Sequence, residues 1–158
     1  MLFLLSSSLL VIVVVGRVKR NAERHIRAGS TTVGSGVQQT AYTFTASQAG
    51  VVKSIKLDVG VVASSGGEDV GNLAYALVLV REGYNVNNMT YPALTDDLYN
   101  PTNDVLISGV LSGGTLEDHK SNKIGRKMKA GDRIALIFYN VAAYNMAGFF
   151  ELSFSYMT

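Results

Sequence analysis

The N-terminal part of the chain carries a set of basic side chains whose spacing suits phosphate binding. The set consists of Arg17, Lys19, Arg20, Arg24 and Arg27. Its four arginines recur at intervals of three, four and three residues, so a helix would place them along one stripe. Such a stripe could bind phosphates through charge, without reading base sequence. The alternative interpretations are a solvated charged linker and the basic flank of a membrane segment.

A second basic cluster lies in the C-terminal third of the chain. Its members are Lys120, Lys123, Arg126, Lys127 and Lys129. On an extended strand, Lys123, Lys127 and Lys129 would share one face, and the other two residues would share the opposite face. This division argues against a single dedicated groove. Lysines that protect an exposed edge strand would explain the cluster equally well.

The positive charge of the chain is local. The whole sequence has 14 basic and 12 acidic residues, for a net charge of +2. Five basic residues and one acidic residue lie in the first 27 positions, which gives +4, and nine basic and eleven acidic residues follow, which gives −2. A basic segment on a slightly acidic chain is typical of proteins that bind polyanions.

The sequence offers little material for catalysis or metal binding. It contains no cysteine, and neither of its two histidines, His25 and His119, has an obvious orienting acid near it in sequence. Neither a nucleophile elbow nor a phosphate-binding glycine loop occurs. The oxygen-rich run at 96–104 could bind calcium, although Asx turns explain its composition more simply. We therefore expect a protein that is not an enzyme and that uses no metal or cofactor.

The first residues are apolar. Residues 2–15 are interrupted only by three serines, and a run of fourteen residues is shorter than the roughly 20 that a spanning helix needs. The run also lacks the preceding positive charge of a signal peptide. It could be a membrane anchor, a cleaved signal, an element packed within an assembly, or a start that is not the biological one. The stretch AGSTTVGSG at 28–36 predicts a flexible hinge.

The rest of the chain predicts an all-β sandwich. Residues 149–156 and 51–59 alternate between apolar and polar side chains, while 73–80 is apolar throughout, as in a strand covered on both faces. Further strands are predicted at 40–46, 105–111, 119–128 and 133–139. Seven or eight strands with unequal loops fit a two-sheet antiparallel sandwich, and the absence of the immunoglobulin Cys and Trp hallmarks favours a single jelly roll.

Three segments resemble a known family when taken in order. They are LVLVREG at 77–83, LYNP at 98–101 followed by NDVLISG at 103–109, and KAGDRIALI at 129–137. Together they resemble the jelly-roll capsid proteins of circular Rep-encoding single-stranded DNA viruses, over roughly residues 75–140. The resemblance implies a single jelly roll, self-assembly into a small icosahedral shell, and an interior basic arm that packages the genome.

The chain departs from that family in two respects. Family members usually begin with a long Arg/Lys-rich tail, whereas this chain begins with leucine and valine. Its length of 158 residues is closer to that of satellite-virus coat proteins.

The sequence therefore predicts a viral capsid protein, located in the virion, that forms homo-oligomers of many copies and binds nucleic acid without sequence preference. Residues 1–27 would form an apolar and basic N-terminal arm that could be helical, 28–36 the hinge, and 37–158 the jelly-roll domain. Two alternatives remain open. One is a secreted or membrane-anchored jelly-roll binding module, held through residues 2–15, and the other is a filament-forming β protein assembled by strand donation.

Overall fold

The computed structural model of the protein describes residues 21–63, 72–84, 103–112 and 117–158, and these fold as eight β-strands. The strands are β1 (Ala22–Val33), β2 (Gln38–Thr45), β3 (Gly50–Ala63), β4 (Leu73–Val80), β5 (Asn103–Leu111), β6 (Glu117–Met128), β7 (Arg133–Asn140) and β8 (Met146–Met157). All pairings among them are antiparallel. The described residues contain no helix.

The strands form two four-stranded sheets. Sheet 1 has the order β1-β8-β3-β6, and sheet 2 has the order β2-β7-β4-β5. Every connection passes from one sheet to the other except the one between β4 and β5, which are neighbours in sheet 2. This alternation between two sheets is the strand arrangement of a jelly roll. The predicted fold class, a single all-β jelly roll, is confirmed.

The core lies between the two sheets and follows the period of two in the sequence. On β8, Phe150, Leu152, Phe154 and Tyr156 are buried, and the residues between them face outwards. Strand β4 is buried at all eight positions, as its continuous apolar sequence predicts. Alternation thus decides which side chains form the core and which form the outer surfaces.

The structure corrects the predicted start of the jelly-roll domain. Strand β1 pairs with β8 over its whole length, from Ala22 opposite Met157 to Val33 opposite Met146. The domain therefore begins at Ala22 and not at residue 37, and residues 22–27 are not helical. Residues 1–20, where the predicted arm begins, lie outside the described part of the chain.

The predicted hinge is also wrong over most of its length. Residues 28–33 belong to β1, and only a short turn remains, in which the amide of Val37 donates to the carbonyl of Gly34. Most side chains of β1 are exposed, because it is an edge strand. Its position is held mainly by backbone hydrogen bonds to β8, so its sequence shows no alternation that would reveal a strand.

One buried side-chain amide, that of Asn140, links the segments at one end of the sandwich, where β1 and β7 have their last residues. Asn140 is fully buried, and its Nδ2 donates to the carbonyls of Val33 and Tyr144 at 2.9 and 2.8 Å. Its Oδ1 accepts from the amide of Ala142 at 2.8 Å. The side chain thereby joins the end of β1 to the connection between β7 and β8.

A buried carboxylate closes the other end, which we call the basic end. Asp132 is 1% exposed, and its Oδ2 accepts from Arg81 Nη1 at 2.9 Å and from the amide of Lys129 at 2.8 Å. Its Oδ1 accepts from the amide of Glu82 at 3.1 Å. The backbone of Asp132 also accepts from the amide of Ala46. Asp132 and Asn140 are the only buried polar side chains among the described residues.

Hydrogen-bond partners together have a larger effect than burial on the pKa of the Asp132 carboxyl. Burial alone would raise the pKa of this carboxyl, but the amides of Lys129 and Glu82 and the guanidinium of Arg81 outweigh burial and hold the pKa below the usual value of 3.8. The ionised carboxylate therefore stabilises the folded state, and this contribution is lost as pH falls from 3.8 through the lower folded-state pKa.

We expect Asp132→Asn to lower the free energy of unfolding by about 3 kcal/mol at pH 7, because an amide nitrogen would replace the oxygen that accepts from Arg81 and from the amide of Lys129. The difference from wild type should shrink as pH falls from 3.8, where the unfolded carboxyl becomes protonated, through the lower pKa of the folded carboxyl. Urea denaturation at pH 7 and at pH 3 measures both effects. Asp58→Asn, at an exposed carboxylate, is the matched control and should change stability by less than about 0.5 kcal/mol. A difference that stays constant with pH would contradict this account of Asp132.

Candidate nucleic-acid interface

The structure separates the arginines that the sequence places on one stripe. Arg24 lies opposite Ser155 on the outer face of sheet 1, whereas Arg27 lies opposite the buried Leu152 and hydrogen-bonds Tyr42. Residues three apart on a strand point to opposite faces, so the predicted single stripe is wrong for this pair. Arg17, Lys19 and Arg20 lie outside the described residues.

Arg27 contributes to packing at the open edge between the sheets. Burial raises the pKa of the Tyr42 hydroxyl above its usual value of 10.0, and this effect outweighs the hydrogen bond from Arg27, which acts in the opposite direction. Tyr42 is partly buried against the core. This contact gives Arg27 a structural partner in the folded protein.

The second basic cluster is divided between two faces of β6. Lys123 and Lys127 lie on the outer face of sheet 1, while Lys120 and Arg126 lie opposite the buried Leu57 and Val52. Lys120 Nζ is 3.3 Å from Asp118 Oδ2.

Lys129 follows β6 in the turn that leads to Asp132. It lies on neither face of the strand, but at the basic end of the sandwich. A role in nucleic-acid binding remains a prediction for all five residues of the cluster.

An open depression of about 1090 Å³ occupies the basic end. Its charged lining consists of four basic and two acidic side chains, namely Lys53, Arg81, Lys127, Lys129, Glu82 and Asp132. Asp132 forms the ion pair with Arg81 at 2.9 Å, so the net positive charge of the depression comes from the lysines. Apolar residues of β3, β6 and β8 line the rest of it, Val51, Met128 and Met157 among them.

Lys53 is a member of this site that sequence reasoning missed. It has no partner on β8, because Val52 pairs with Tyr156 and the next β3 residue to pair is Ser54, with Ser155. Lys53 is thus the extra residue of a β-bulge, which re-aims a side chain. The only signal in the sequence is that Lys53 and Ser54 are adjacent polar residues, which interrupts the alternation of β3.

The described chain begins at the same end. The amide of Asn21 donates to the carbonyl of Thr158 at 3.2 Å, and the amide of Thr158 donates to the carbonyl of Asn21 at 3.0 Å. Thr158 and Met157 line the depression. The basic residues at 17–20 therefore precede, by a few positions, a backbone that is fixed beside Lys53 and Lys127.

The two histidines have different surroundings. His25 stacks on Phe154 at a ring-centroid distance of 4.8 Å and also contacts the ring of Phe44. His119 Nδ1 lies 2.8 Å from Asp58 Oδ1, a pairing that sequence reasoning missed because the residues are 61 positions apart. The hydrogen bond and charge of Asp58 hold the pKa of His119 above its usual value of 6.5. The His119 side chain is 70% exposed, so this pair is not enclosed as an active site would be.

Two other candidate features find no support in the described part of the chain. No group of three or more His, Asp or Glu side chains there could hold a metal ion. No helix long and apolar enough to cross a membrane occurs in the same residues. Most of the oxygen-rich run at 96–104, and all of residues 2–15, lie outside them.

Comparisons with known proteins give distant structural likeness only. No family model and no curated protein matches the sequence. The decameric BFDV capsid protein is similar with a TM-score of 0.46 and 7% sequence identity, over 89% of this chain and 99% of that chain. The VP2 subviral particle of infectious bursal disease virus is similar with a TM-score of 0.44 and 10% identity, over 88% of this chain and 32% of that chain. The jelly-roll assignment rests on the strand order of this chain itself.

Proposed function

We propose that the protein is a viral capsid subunit that self-assembles into a small icosahedral shell and contacts the packaged nucleic acid with its basic end. The observation that carries this proposal is the pairing of Asn21 with Thr158. This pairing fixes the start of the described chain beside Lys53, Lys127 and Lys129. The basic residues at 17–20 therefore precede, in sequence, a strand that starts at this surface.

The chemistry of the basic end favours contact with phosphates over recognition of bases. Its lysines are point charges, and among the described residues no aromatic side chain on which a base could stack lines the depression. Binding of this kind depends on salt and not on base sequence. Packaging of a genome requires this property, because a coat protein must bind nucleic acid along its whole length.

A structural role agrees with how the remaining chemistry-bearing groups are used. Asp132 and Asn140 serve to hold loops, Asp118 bonds Tyr75 and Lys120, and His119 is paired at an exposed site. A jelly roll whose side chains are occupied in this way presents its outer faces and loops for contacts with other copies. Closed symmetry is the usual outcome when identical subunits associate.

We expect the full-length protein to form closed particles of uniform size at physiological salt. Sedimentation velocity together with negative-stain microscopy would test this, since shells, filaments and monomers differ in both. A single monomeric species at high protein concentration would contradict the proposal. Filaments would instead favour assembly by strand donation.

The basic end should account for a defined part of nucleic-acid binding. Replacing Lys53, Lys127 and Lys129 with alanine should reduce the slope of log K against log salt on single-stranded DNA by about 2, because three phosphate contacts would be lost. The variant with Arg17, Lys19 and Arg20 replaced should show a similar reduction. Fluorescence anisotropy at several salt concentrations measures both slopes.

Lys120→Ala is the matched control for this experiment, because Lys120 is a lysine of the same strand that is paired with Asp118. Its salt slope should equal that of wild type. Wild-type protein without salt-dependent affinity for single- or double-stranded nucleic acid would overturn the packaging role. Equal slopes for wild type and the Lys53, Lys127 and Lys129 variant would show that the basic end does not contact phosphates.

A further inference from the structure

The outer face of sheet 1 carries charge in a divided pattern. One half of the face is acidic and the other half is basic, and all seven charged side chains concerned are exposed. The strand register assigns Asp58, Glu117 and Glu151 to the acidic half, and it assigns Arg24, Lys56, Lys123 and Lys127 to the basic half. We call this surface the sheet 1 face.

Strand register arranges these side chains in rows across the sheet. Residues directly opposite one another in neighbouring strands share a face, so Asp58 lies in one row with Glu151 and His119. Lys56 lies in the next row, two residues along β3. Alternate residues of the twelve-residue strand β8, from Ala147 to Met157, give six such rows. The centre of the face lies between the row of Asp58 and the row of Lys56.

We propose that the sheet 1 face binds the same face of a second copy of the chain. The two copies are related by a two-fold axis that lies between the two faces, runs perpendicular to the strands and passes over the centre of the face. Rotation about this axis turns each acidic row onto a basic row of the other copy. Asp58 then lies over the second copy's Lys56, and Glu117 lies over the second copy's Lys123. A two-fold contact is isologous, so each of these pairs occurs twice.

The balance of charge favours a second copy over nucleic acid as the partner. Three acidic and four basic side chains are present on the face, so its net charge is only +1 apart from His119. A surface that binds phosphates is basic throughout, because acidic side chains repel the phosphate backbone. Opposite signs in separate halves instead match a partner with the same pattern reversed, and the same face provides that partner.

The shape of the face allows a second sheet to approach. Many of its positions near the centre carry small side chains, namely Ala28, Ser54, Ser121, Ser153 and Ser155. Gly60 also lies on this face, and a Cβ atom there would collide with the ring of Phe149, which covers it. Small residues permit the separation of about 10 Å at which sheets stack.

Exposed apolar side chains add to this surface. Ile26 and Val62 are each 52% exposed and Phe149 is 38% exposed, and all three lie on the sheet 1 face. In the two-fold arrangement, the row of Val62 lies over the row of the second copy's Met157. Exposed apolar residues within a polar surround are typical of interaction sites.

The area of the face is sufficient for a stable contact. Four strands spaced about 4.8 Å apart and twelve residues rising about 3.4 Å each give roughly 800 Å². Specific protein interfaces of standard size bury about 800 Å² on each partner. The proposal identifies one contact of the assembly proposed above and rests on that assembly, although the contact itself does not require a closed shell.

Charge reversal in two complementary variants tests the proposal. The acidic-half variant is Asp58→Lys with Glu117→Lys, and the basic-half variant is Lys56→Glu with Lys123→Glu. Each variant alone places like charges against each other in all four pairs, whereas a mixture of the two restores opposite charges in all four. Because the substituted side chains are exposed, we expect both variants to fold, which thermal denaturation would verify.

We expect each variant alone to associate at least about a hundredfold more weakly than wild type, because like charges across an interface cost several kcal/mol. The equimolar mixture should recover association to within about tenfold of wild type. Sedimentation velocity and native mass spectrometry measure these effects, and differently labelled variants identify the heterodimer. Lys120→Glu with Arg126→Glu is the matched control, since it changes net charge as much as the basic-half variant does but lies off the face, and it should associate like wild type.

If both variants form shells or dimers as well as the wild-type protein does, this contact is overturned and the proposed capsid function stays in place. Variants that weaken association without recovery on mixing would also overturn it. If only the basic-half variant loses affinity for DNA and mixing changes nothing, the face binds polyanions. Absence of any association by wild-type protein would overturn both this contact and the proposed function.

Discussion

The basic end depends on the buried carboxylate of Asp132. Four positively charged side chains from strands and loops converge there and repel one another, so the site needs negative charge, to which the exposed Glu82 also contributes. Asp132 supplies that charge from a site 1% exposed, where its attraction for Arg81 is weakly screened. It also fixes the amides of Glu82 and Lys129, so the first residues after β4 and the turn after β6 have defined positions. A positively charged surface can therefore be part of a well-ordered structure.

The same physical rule that builds the core also builds the surfaces. Because side chains alternate along a strand, the burial of Ile55, Leu57 and Val59 fixes Lys56 and Asp58 on the outside of sheet 1. Antiparallel pairing then brings residues from distant parts of the sequence into one row, as with Asp58 and His119. The charge pattern of the sheet 1 face is thus a consequence of strand register, and a shift by one residue would destroy it. The proposed assembly contact and the proposed nucleic-acid contact adjoin on one fold, since Lys127 and Met157 belong to both the sheet 1 face and the basic end.

Much of the fold could be predicted from the sequence, because burial leaves a clear pattern. Strand β8 alternates throughout and β4 is apolar throughout, and both were predicted within three residues of their observed ends. Strand β1 was missed because its side chains are mostly exposed, and an exposed edge strand has no reason to alternate.

The basic end was predicted only in part. The sequence predicts Lys127 and Lys129 as members of a basic cluster. Lys53 lies beside them because of a β-bulge, and a β-bulge leaves little trace in the sequence. Pairings between distant residues, such as those of Asp132 and His119, require the fold to be known.

In the proposed function, jelly-roll subunits assemble with the basic end towards packaged nucleic acid. Cryo-electron microscopy of particles formed by the full-length protein would test this orientation, because the direction of each sandwich is visible in a reconstruction. We expect closed shells in which Lys129 and Thr158 face the interior. Shells in which this end faces outwards, with residues 34–37 and 141–145 towards the interior, would contradict it.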